Sequence, residues 1–587
     1  MAARAETGAA AQGGGVGAGD LSSVPPAASP NIAAHLREIA ARHPHRAAVV
    51  VPQGRGAAGR MRYAHFTFDQ LDRDSDAVAA GLIADGVARE TRAAVMVPPG
   101  LDFFSLVFGL FKAGVVPVLI DPGMGLKSLG RCLDEAEPEL FIGIAKALAA
   151  RRVLGWGKRT VRRTLIAGRG GRIPGFGARS LDAVRSGGSR AIAEGRVASP
   201  VMRGVGPEDP AAVLFTSGST GPPKGAVYTH PIFEAQVACF RDLYAIEPGE
   251  IDLCTFPLFA LFAPALGMTS VVPRMDPTRP AKVDPESLFE AIDDFGPTNL
   301  FGSPALLKRV GPAGTAKGMK LPTLRRVVTA GAPASPRVLE TFASLLEPGA
   351  QVFTPYGATE SLPVASIGSD EILGETRLET ERGRGVCVGR PCDVVLVRII
   401  RISDDPIPSW SDDLELPPGE IGEIVVSGPV VTREYFGRPE ATALAKIADP
   451  ARGTFHHRMG DVGYLDESGR IWFCGRKAHR VVLADETLFT ICCEGVFNAH
   501  PEVARTAIVG VERPTGKVPV LCVEPARRLG RRDRARLREE LLALGARFDH
   551  TRKIHTILFH RSFPVDIRHN SKIFREKLAT WAAGKAP

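Results

Sequence analysis

Residues 216–225 read Thr216, Ser217, Gly218, Ser219, Thr220, Gly221, Pro222, Pro223, Lys224 and Gly225, and they follow a short apolar run, Ala212 to Phe215. Glycine lets backbone N–H groups come close to an anion, and the hydroxyl side chains supply further hydrogen-bond donors. Lys224 adds a positive charge that suits a phosphate. Because ligands bind beyond the carboxyl ends of strands in open α/β sheets, this stretch predicts a phosphate-binding loop after a buried strand.

The loop differs from the Walker A loop of many nucleotide-binding proteins. Its glycines and lysine have a different spacing, and Gly225 stands where a Walker A loop has the Ser or Thr that holds Mg²⁺. The plainer alternative is an ordinary Gly/Ser turn. The apolar strand directly before the loop favours the phosphate site over that alternative.

The composition is that of a large folded protein. The chain has 587 residues, of which 44% are hydrophobic and 23% are charged, and this balance excludes a largely disordered chain. At about 150 residues per domain, the length corresponds to roughly four domain-sized units. The net charge of +9 is small for this length. It is compatible with an anionic ligand or an anionic membrane surface, and it does not require nucleic acid.

Cysteine usage and the N-terminus bear on the compartment. The nine cysteines are too sparse for a disulfide scaffold and contain no pair of zinc knuckles, so we expect free thiols and a cytoplasmic location. Residues 1–30 are rich in Ala and Gly, which predicts a disordered tail rather than a signal peptide. The uncharged stretch Phe256 to Pro273 is interrupted by prolines and predicts buried soluble structure rather than a transmembrane segment.

Apolar runs alternate with helical stretches along much of the chain. A strand, a helix and a strand are predicted at Ala93 to Val97, Leu101 to Lys112 and Val115 to Ile120. Such alternation is typical of βαβ units in a mostly parallel sheet. By contrast, the stretch Val153 to Arg203 is rich in Gly and Arg and predicts an irregular surface excursion.

The pattern changes twice towards the C-terminus. From about Cys387 the sequence is rich in strand patterns, and beyond Gly475 it predicts a small α+β unit. We therefore expect an α/β protein with a disordered tail at 1–30, a large domain at 31–475 and a C-terminal domain at 476–587. The large domain would contain parallel-sheet subdomains and a β-rich subdomain.

Short motifs occur in the order found in the AMP-forming adenylating enzymes, the superfamily of acyl-CoA synthetases, nonribosomal peptide adenylation domains and luciferases. They are Thr216 to Gly225, Gly331-Ala332-Pro333, Tyr356-Gly357-Ala358-Thr359-Glu360, Gly460-Asp461, Gly475-Arg476 and Ser571-Lys572-Ile573. The chain resembles that superfamily from about Asn31 to Lys577. Each motif alone has an ordinary explanation, such as a turn, a solvated helix face or, for Glu360, a helix cap. The ordered set carries the resemblance.

The resemblance implies that ATP and Mg²⁺ are used to activate a carboxylate. The carboxylate would attack the α-phosphate, so negative charge must be neutralised along the whole triphosphate. Thr216, Ser217, Gly218, Ser219, Thr220, Gly221 and Lys224 would hold the pyrophosphate. Thr359 would touch the α-phosphate, and Glu360 would be the ligand of Mg²⁺.

The remaining motifs are implied to hold the nucleoside and the reacting groups. Gly331, Ala332, Pro333 and Gly357 would face the adenine, with Tyr356 covering its ring. Asp461 would accept both ribose hydroxyls. Arg476 lies at the hinge before a mobile C-terminal domain, where Lys572 would bridge the carboxylate and the α-phosphate and stabilise the charge of the transition state.

The motifs depart from those of thioester-forming relatives. Acyl-CoA synthetases have a pivot Asp at the hinge, where this chain has Ala478. Asp485 falls where those enzymes have the Gly that admits the pantetheine arm, and a carboxylate there is expected to block the tunnel and repel CoA. Ala260, Met459 and Ser571 replace the His, Thr and Gly that are usual at their positions. The departures indicate that adenylation is retained and transfer to CoA is not.

Without CoA, another nucleophile must take the acyl group from AMP. A β-hydroxyl on the substrate needs no second binding site and benefits from intramolecular proximity. Thr229 to Gln236, Arg274 to Pro277 and Gly475 to Arg480 also resemble the β-lactone synthetases of bacterial long-chain olefin biosynthesis. That resemblance implies ATP-dependent conversion of a long-chain 2-alkyl-3-hydroxy acid to a β-lactone, with release of AMP and pyrophosphate.

Other functions stay open on the sequence. A long-chain acyl-CoA synthetase or fatty acyl-AMP ligase shares the first half-reaction, and the missing pivot Asp is compatible with a non-catalytic nucleotide-binding scaffold. His230 could face the substrate or be structural, and the runs Phe103 to Phe111 and Phe256 to Pro273 suit either two alkyl chains or a core. The arginines of Arg527 to Arg538 are most simply a solvated helix face.

The expected partners follow from the same readings. They are a small-molecule long-chain 3-hydroxy acid and other enzymes of an olefin-forming pathway. Peripheral contact with a membrane surface is compatible with the charge, and we expect no nucleic-acid partner.

Overall fold

The computed structural model describes residues 31–168, 177–216, 222–514, 516–565 and 573–585. The tail predicted at 1–30 therefore lies outside the described residues. The same holds for Ser217, Gly218, Ser219, Thr220 and Gly221 of the glycine-rich loop and for Ser571 and Lys572.

The described chain starts with two helices that flank a hairpin. They are α1 (Ala34–Arg42), β1 (Ala47–Arg55), β2 (Met61–Thr67) and α2 (Phe68–Ala84). α2 begins with a capping box, in which the Thr67 hydroxyl accepts from the backbone of Gln70 and the Gln70 side chain accepts from the backbone of Thr67.

The next part of the chain builds a sheet of seven described strands. The strands are β3 (Arg92–Met96), β4 (Val116–Leu119), β5 (Leu140–Gly143), β6 (Arg163–Ile166), β7 (Arg179–Ser180), β8 (Pro210–Phe215) and β9 (Gly225–Thr229). The helices are α3 (Leu101–Lys112), α4 (Leu126–Ala136), α5 (Ala145–Leu154) and α6 (Leu181–Ala193). The strand order is β7-β6-β5-β3-β4-β8-β9, with every pair parallel except β8 and β9. The predicted βαβ pattern is confirmed.

The stretch Val153 to Arg203 is more regular than predicted, because it contains β6, β7 and α6. α6 packs on α2 so closely that a Cβ atom at Gly188 would lie 1.8 Å from the carbonyl oxygen of Ala77. Gly188, which resembles a loop residue in the sequence, therefore allows α6 and α2 to approach each other.

A second sheet of fourteen described strands follows, and it includes β1 and β2. Its next strands are β10 (Ile251–Cys254), β11 (Thr269–Val271), β12 (Asn299–Gly302), β13 (Arg326–Thr329), β14 (Gln351–Ala358) and β15 (Ser361–Gly368). The helices are α7 (His230–Tyr244), α8 (Pro257–Ala260), α9 (Phe262–Ala265), α10 (Pro285–Phe295), α11 (Pro304–Ala316), α12 (Pro336–Ala343), α13 (Ser369–Glu371) and α14 (Arg377–Glu381). Strands β1, β11, β10, β12, β13 and β14 are parallel neighbours, and β15 pairs antiparallel with β14.

The uncharged stretch Phe256 to Pro273 forms α8, α9 and β11 inside this sheet region. It is not a membrane span. In the part of the chain that the structure describes, no helix is both long and apolar enough to cross a bilayer.

The predicted β-rich part continues the second sheet. It consists of β16 (Val386–Pro391), β17 (Leu396–Ile400), β18 (Gly422–Ser427), α15 (Pro439–Ala445), β19 (Lys446–Asp449), β20 (Thr454–Leu465) and β21 (Ile471–Arg476). These strands pair antiparallel with one another. The pairing of β20 with β21 places Asp461 opposite Arg476.

The residues after Arg476 form a small α+β unit, as predicted. It contains β22 (Val481–Val482), β23 (Thr487–Leu488), α16 (Thr490–Asn498), β24 (Val503–Arg513), β25 (Gly516–Pro525), α17 (Arg531–Gly545), β26 (Thr556–Phe559) and α18 (Arg575–Ala583). The unit has its own core, in which Phe497, Ile508, Leu521, Leu537 and Leu541 pack together. Because Leu537 and Leu541 are buried while the arginines of α17 are exposed, the predicted solvated face is confirmed.

Candidate active site

A cavity of about 1750 Å³ lies against the C-terminal ends of the parallel strands. The predicted nucleotide-binding residues that the structure describes all line it: Thr216, Lys224, Gly331, Ala332, Pro333, Tyr356, Gly357, Thr359, Glu360, Asp461 and Arg476. These residues are spread over 261 positions of the sequence (476 − 216 + 1), so the fold brings separate motifs to one place.

The two ends of the glycine-rich loop are tied together. The backbone N–H of Thr216 donates to the carbonyl of Lys224 at 2.9 Å, and the backbone N–H of Lys224 donates to the Thr216 hydroxyl at 3.2 Å. β8 and β9 enter and leave the loop as an antiparallel pair, with Phe215 opposite Gly225. The glycine-rich stretch therefore connects two paired strands. Strand β9 is not anticipated by the sequence pattern.

Thr359 and Glu360 form the turn between β14 and β15. No helix follows Glu360 there, so the alternative of a helix cap is wrong. The phenol of Tyr228 donates to the carbonyl of Thr359 at 2.5 Å, and the backbone N–H of Thr432 donates to the carbonyl of Glu360 at 2.9 Å. The turn is thus held from two sides.

The Glu360 carboxylate is oriented by a tyrosine that sequence reasoning misses. The phenol of Tyr435 donates to Glu360 Oε1 at 2.6 Å, and burial beside this carboxylate raises the pKa of Tyr435. Lys224 Nζ lies 4.7 Å from the centroid of the Tyr435 ring, at cation–π distance. Tyr435 therefore connects the glycine-rich loop to the acidic turn.

A buried lysine, Lys446, lies close enough to the acidic turn to interact with the charge of Glu360. Its ammonium group donates to the carbonyl of Thr432, and burial lowers its pKa to about 7 despite the favourable charge of Glu360. The sequence signals neither Lys446 nor Tyr435, because their contacts with the turn come from a strand and a loop far along the chain.

Asp461 lines the same cavity as the acidic turn. The phenol of Tyr356 donates to Asp461 Oδ2 at 2.7 Å, and the guanidinium of Arg476 lies 2.8 Å from Oδ1. Burial raises the pKa of Asp461, and the charge of Arg476 opposes that rise. The contact with Arg476 is a charged one, and together with the Tyr356 hydrogen bond it leaves further acceptor positions on the two carboxylate oxygens. A buried acceptor of this kind fits a ligand hydroxyl.

The hinge after Arg476 is attached to the body of the protein by Lys477. Lys477 Nζ donates to the carbonyl of Ser403 at 2.7 Å and forms an ion pair with Glu423 at 3.0 Å. Arg458 also pairs with the buried Glu423, at 2.7 Å. A cation beside Ala478 thus anchors the hinge where relatives are expected to use a pivot carboxylate.

Asp485 does not occupy a tunnel in this structure. Its side chain is 68% exposed, and its carboxylate lies 2.6 Å from Lys553 Nζ, whose hydrogen bond lowers the pKa of Asp485. The prediction that Asp485 blocks a pantetheine channel is wrong for the arrangement seen here.

Aromatic rings form the apolar wall of the cavity. Ring centroids are 5.9 Å apart for Phe111 and Phe233, 6.4 Å for Phe233 and Phe262, 6.1 Å for Phe262 and Phe259, and 4.1 Å for Phe259 and Phe301. All five residues line the cavity. Residues of both apolar runs therefore line the cavity, and α3 also buries ten consecutive residues.

His230 has a structural contact at one ring nitrogen. Its Nδ1 accepts a hydrogen bond from the backbone N–H of Ile32 at 3.2 Å. Burial lowers the pKa of His230 to about 4, so the ring is neutral at neutral pH. His230 thereby fixes the start of the described chain against α7.

Comparison with known proteins agrees with this geometry. Residues 36–436 match the AMP-binding enzyme family. An olefin beta-lactone synthetase of Stenotrophomonas maltophilia is 50% identical, and the match covers 94% of this chain and 98% of that protein. The amide bond synthetase of Marinactinospora thermotolerans shares the fold, with a TM-score of 0.73, 23% identity and coverage of 94% and 99% of the two chains.

A further solved structure is an O-succinylbenzoate coenzyme A synthetase of Bacillus subtilis in complex with ATP and magnesium ion. It matches with a TM-score of 0.68 at 20% identity and covers 93% of this chain and 98% of its own. The sequence motifs line one cavity, and the family match extends over residues 36–436. The chain therefore belongs to the AMP-binding enzyme family and is an ATP-dependent, adenylate-forming enzyme.

Proposed function

We propose that the protein converts a long-chain 2-alkyl-3-hydroxy acid to a β-lactone through an acyl-AMP intermediate. One observation carries the proposal: the nucleotide-side residues and a wall of aromatic rings line the same cavity, with Thr359 and Glu360 among them. The extended identity with an olefin beta-lactone synthetase supports the same reaction.

The nucleotide would lie along the polar side of this cavity. We propose that Thr216 to Gly221 and Lys224 hold the pyrophosphate, that Thr359 contacts the α-phosphate, and that Asp461 accepts the ribose hydroxyls. Gly331, Ala332, Pro333, Tyr356 and Gly357 would enclose the adenine, and Arg476 would keep Asp461 charged through their ion pair. The acceptor positions that Tyr356 and Arg476 leave on the buried Asp461 carboxylate support this placement.

We propose Glu360 as the protein ligand of Mg²⁺. Within the described parts of the chain, no group of three or more His, Cys, Asp or Glu side chains could hold a metal ion. A single carboxylate fits Mg²⁺, which is usually bound by one or two carboxylates together with substrate phosphates. When bound, the ion would neutralise charge on the phosphates. Tyr435 and the backbone of Thr432 hold Glu360 in place for this purpose.

The chemistry would proceed in two steps in one site. The substrate carboxylate attacks the α-phosphorus, pyrophosphate leaves, and Lys572 stabilises the negative charge that develops. The 3-hydroxyl oxygen then attacks the acyl carbon, its proton passes to water, and AMP departs with the electron pair of the broken C–O bond. Intramolecular attack replaces a second substrate, which agrees with a hinge anchored by Lys477.

The wider setting is part of the proposal. We propose 31–475 as the domain that binds ATP and the acid, and 476–587 as the C-terminal domain that carries Lys572. All nine cysteines are buried free thiols, which supports the cytoplasm as the compartment. The enzyme would act beside other enzymes of an olefin-forming pathway, since a strained lactone needs a consumer.

The decisive experiment is a product assay without CoA. Purified protein, ATP, Mg²⁺ and a 2-alkyl-3-hydroxy acid are expected to give a β-lactone, AMP and pyrophosphate in equal amounts, as followed by NMR and mass spectrometry. A thioester that forms only on addition of CoA, or acyl transfer only to a carrier protein, would assign the protein to the acyl-CoA synthetases or acyl-AMP ligases instead. Absence of pyrophosphate release from any acid would leave a nucleotide-binding scaffold.

Replacement of Tyr435 by phenylalanine tests the orientation of Glu360. The variant keeps the ring under Lys224 and loses only the hydrogen bond to the carboxylate, which is expected to slow pyrophosphate release about 10-fold. Because the carboxylate is then less well placed, half-maximal activity should also require several-fold more Mg²⁺. Magnesium titrations of the variant and the wild type measure both effects, and an unchanged titration curve would contradict the role of Tyr435.

A further inference from the structure

Gln236 is a buried polar side chain with one unused hydrogen-bonding atom. It lies on α7, is 2% exposed and lines the cavity. Its Nε2 donates to the backbone carbonyl of Leu362 at 2.8 Å. Since a carbonyl can only accept, this contact fixes which end of the amide is nitrogen. The other end, Oε1, receives no hydrogen bond from the residues that the structure describes.

A buried amide oxygen without a donor is unusual, because its desolvation is not compensated. The cavity-lining neighbours of Gln236 on α7 are Phe233 and Val237, which offer no hydrogen-bond donor from their side chains. The nearby phenol of Tyr228 already donates its hydrogen to the carbonyl of Thr359. The donor that Oε1 lacks is therefore expected from the molecule that fills the cavity.

Gln236 also lies close to the reacting end of the cavity. Leu362, its hydrogen-bond partner, follows the acidic turn by two residues. The phenol of Tyr228, which lines the cavity with Gln236 and interacts with its amide, donates to the carbonyl of Thr359. A short chain of contacts thus joins Gln236 to Thr359, where the proposed function places the α-phosphate.

We propose that Gln236 is the residue that recognises the substrate's 3-hydroxyl group, with Oε1 accepting a hydrogen bond from it. The inference rests on the proposed function for the position of the carboxylate. An acceptor at this place would select 3-hydroxy acids over acids that lack the hydroxyl. It would also hold the hydroxyl oxygen near the acyl carbon before ring closure. Gln236 does not take the proton in this scheme.

Two variants separate recognition from packing. Gln236→Met has a similar length and shape but neither donates nor accepts as an amide does. Gln236→Glu, buried and therefore protonated, can still donate an O–H to Leu362 and accept at its other oxygen. Each is compared with the wild type in single-turnover pyrophosphate release with a 3-hydroxy acid and with the 3-deoxy acid of the same chain lengths. That assay reports adenylation and does not depend on lactone formation.

We expect the wild type to prefer the hydroxy acid by about 10- to 100-fold in kcat/KM, since a site built to pair a hydroxyl discriminates against its absence. Gln236→Met is expected to lose this preference while its rate with the deoxy acid changes by no more than about 3-fold. Gln236→Glu is expected to restore the preference. A Gln236→Met protein that keeps the preference would overturn the proposal.

Substrate analogues test the same point on the unmodified protein. The 3-fluoro and 3-methoxy acids cannot donate a hydrogen bond, so the wild type is expected to treat them like the deoxy acid. Equal rates for the 3-fluoro and 3-hydroxy acids would overturn the role of Gln236 even if the variants fail to fold. This outcome can be distinguished from a failure of the proposed function. If the protein prefers the 3-hydroxy acid but forms no lactone, the role of Gln236 still holds and only the proposed ring closure is wrong.

Discussion

A Lys572→Ala variant is expected to release pyrophosphate from ATP and a 3-hydroxy acid about 10³-fold more slowly than the wild type, because a preorganised charge at the reacting centre contributes this much to many enzymes. The ammonium group would contact the attacking carboxylate and the α-phosphate oxygens, on which negative charge grows in the transition state. Water would stabilise that charge less well than a preorganised ammonium group. Single-turnover pyrophosphate release measures the loss, and binding of ATP is expected to change by less than about 3-fold, since the charge acts mainly in the transition state.

The matched control is Lys577→Ala on α18. Lys577 is exposed, and its ammonium group lies 4.6 Å from the centroid of the Phe574 ring. The control removes one positive charge from the same end of the chain and is expected to keep the wild-type rate within about 2-fold, as is usual for exposed charges. An unchanged rate in Lys572→Ala would remove the proposed role of Lys572. Equal losses in both variants would show a general effect of charge at the C-terminus.

Much of the fold follows from local patterns in the sequence. Alternating apolar and helical stretches predict the parallel sheets, and the end of each strand predicts where ligands bind. The prediction of an irregular excursion at Val153 to Arg203 is wrong because a glycine can belong either to a loop or to a close contact between helices. Sequence composition does not distinguish these two roles. Gly188 looks like a loop residue, yet it permits the approach of α6 to the carbonyl of Ala77. Packing between α2 and α6, which are far apart in sequence, determines the role of this glycine.

The difference between local sequence patterns and long-range packing also applies to the candidate site. Residues within a motif, such as Thr359 and Glu360, could be proposed from the sequence because they are adjacent in it, and the structure places both at the cavity. Tyr435 contacts Glu360 across 75 residues, and Gln236 contacts Leu362 across 126. No spacing rule connects residues at such separations. Their roles depend on the pairing of strands and on burial, so only the folded structure brings them into view.

The replacement of the hinge carboxylate shows how a motif can mislead when taken position by position. The absence of Asp at Ala478 predicts a hinge without its pivot contact. In the structure, Lys477 supplies a different contact, an ion pair with the buried Glu423. Lys477, the residue directly before Ala478, makes this contact with a positive charge. Because Glu423 is also paired with Arg458, the hinge is attached to a network rather than to a single partner.

An Asp461→Asn variant is expected to raise the KM for ATP about 100-fold, since two hydrogen bonds to a charged acceptor are at stake. A carboxylate offers about four acceptor positions on two oxygens. Tyr356 occupies one on Oδ2, and Arg476 lies beside Oδ1, which leaves positions for both ribose hydroxyls. Asparagine keeps the shape but has a single oxygen, and its NH₂ group would face the donor of either Tyr356 or Arg476.

Nucleotide analogues make this prediction specific to the ribose. The wild type is expected to use 2′,3′-dideoxy-ATP about 100-fold less well than ATP, whereas Asp461→Asn should treat the two nucleotides almost equally. Tyr356→Phe removes one neighbouring hydrogen bond and leaves the carboxylate, so it should keep most of the discrimination. Asp461→Asn also weakens the ion pair with Arg476, and a KM for the acid measured in parallel reports any general damage. If Asp461→Asn still discriminates against the dideoxy nucleotide, a residue other than Asp461 accepts from the ribose hydroxyls. The proposed position of the ribose would then be wrong.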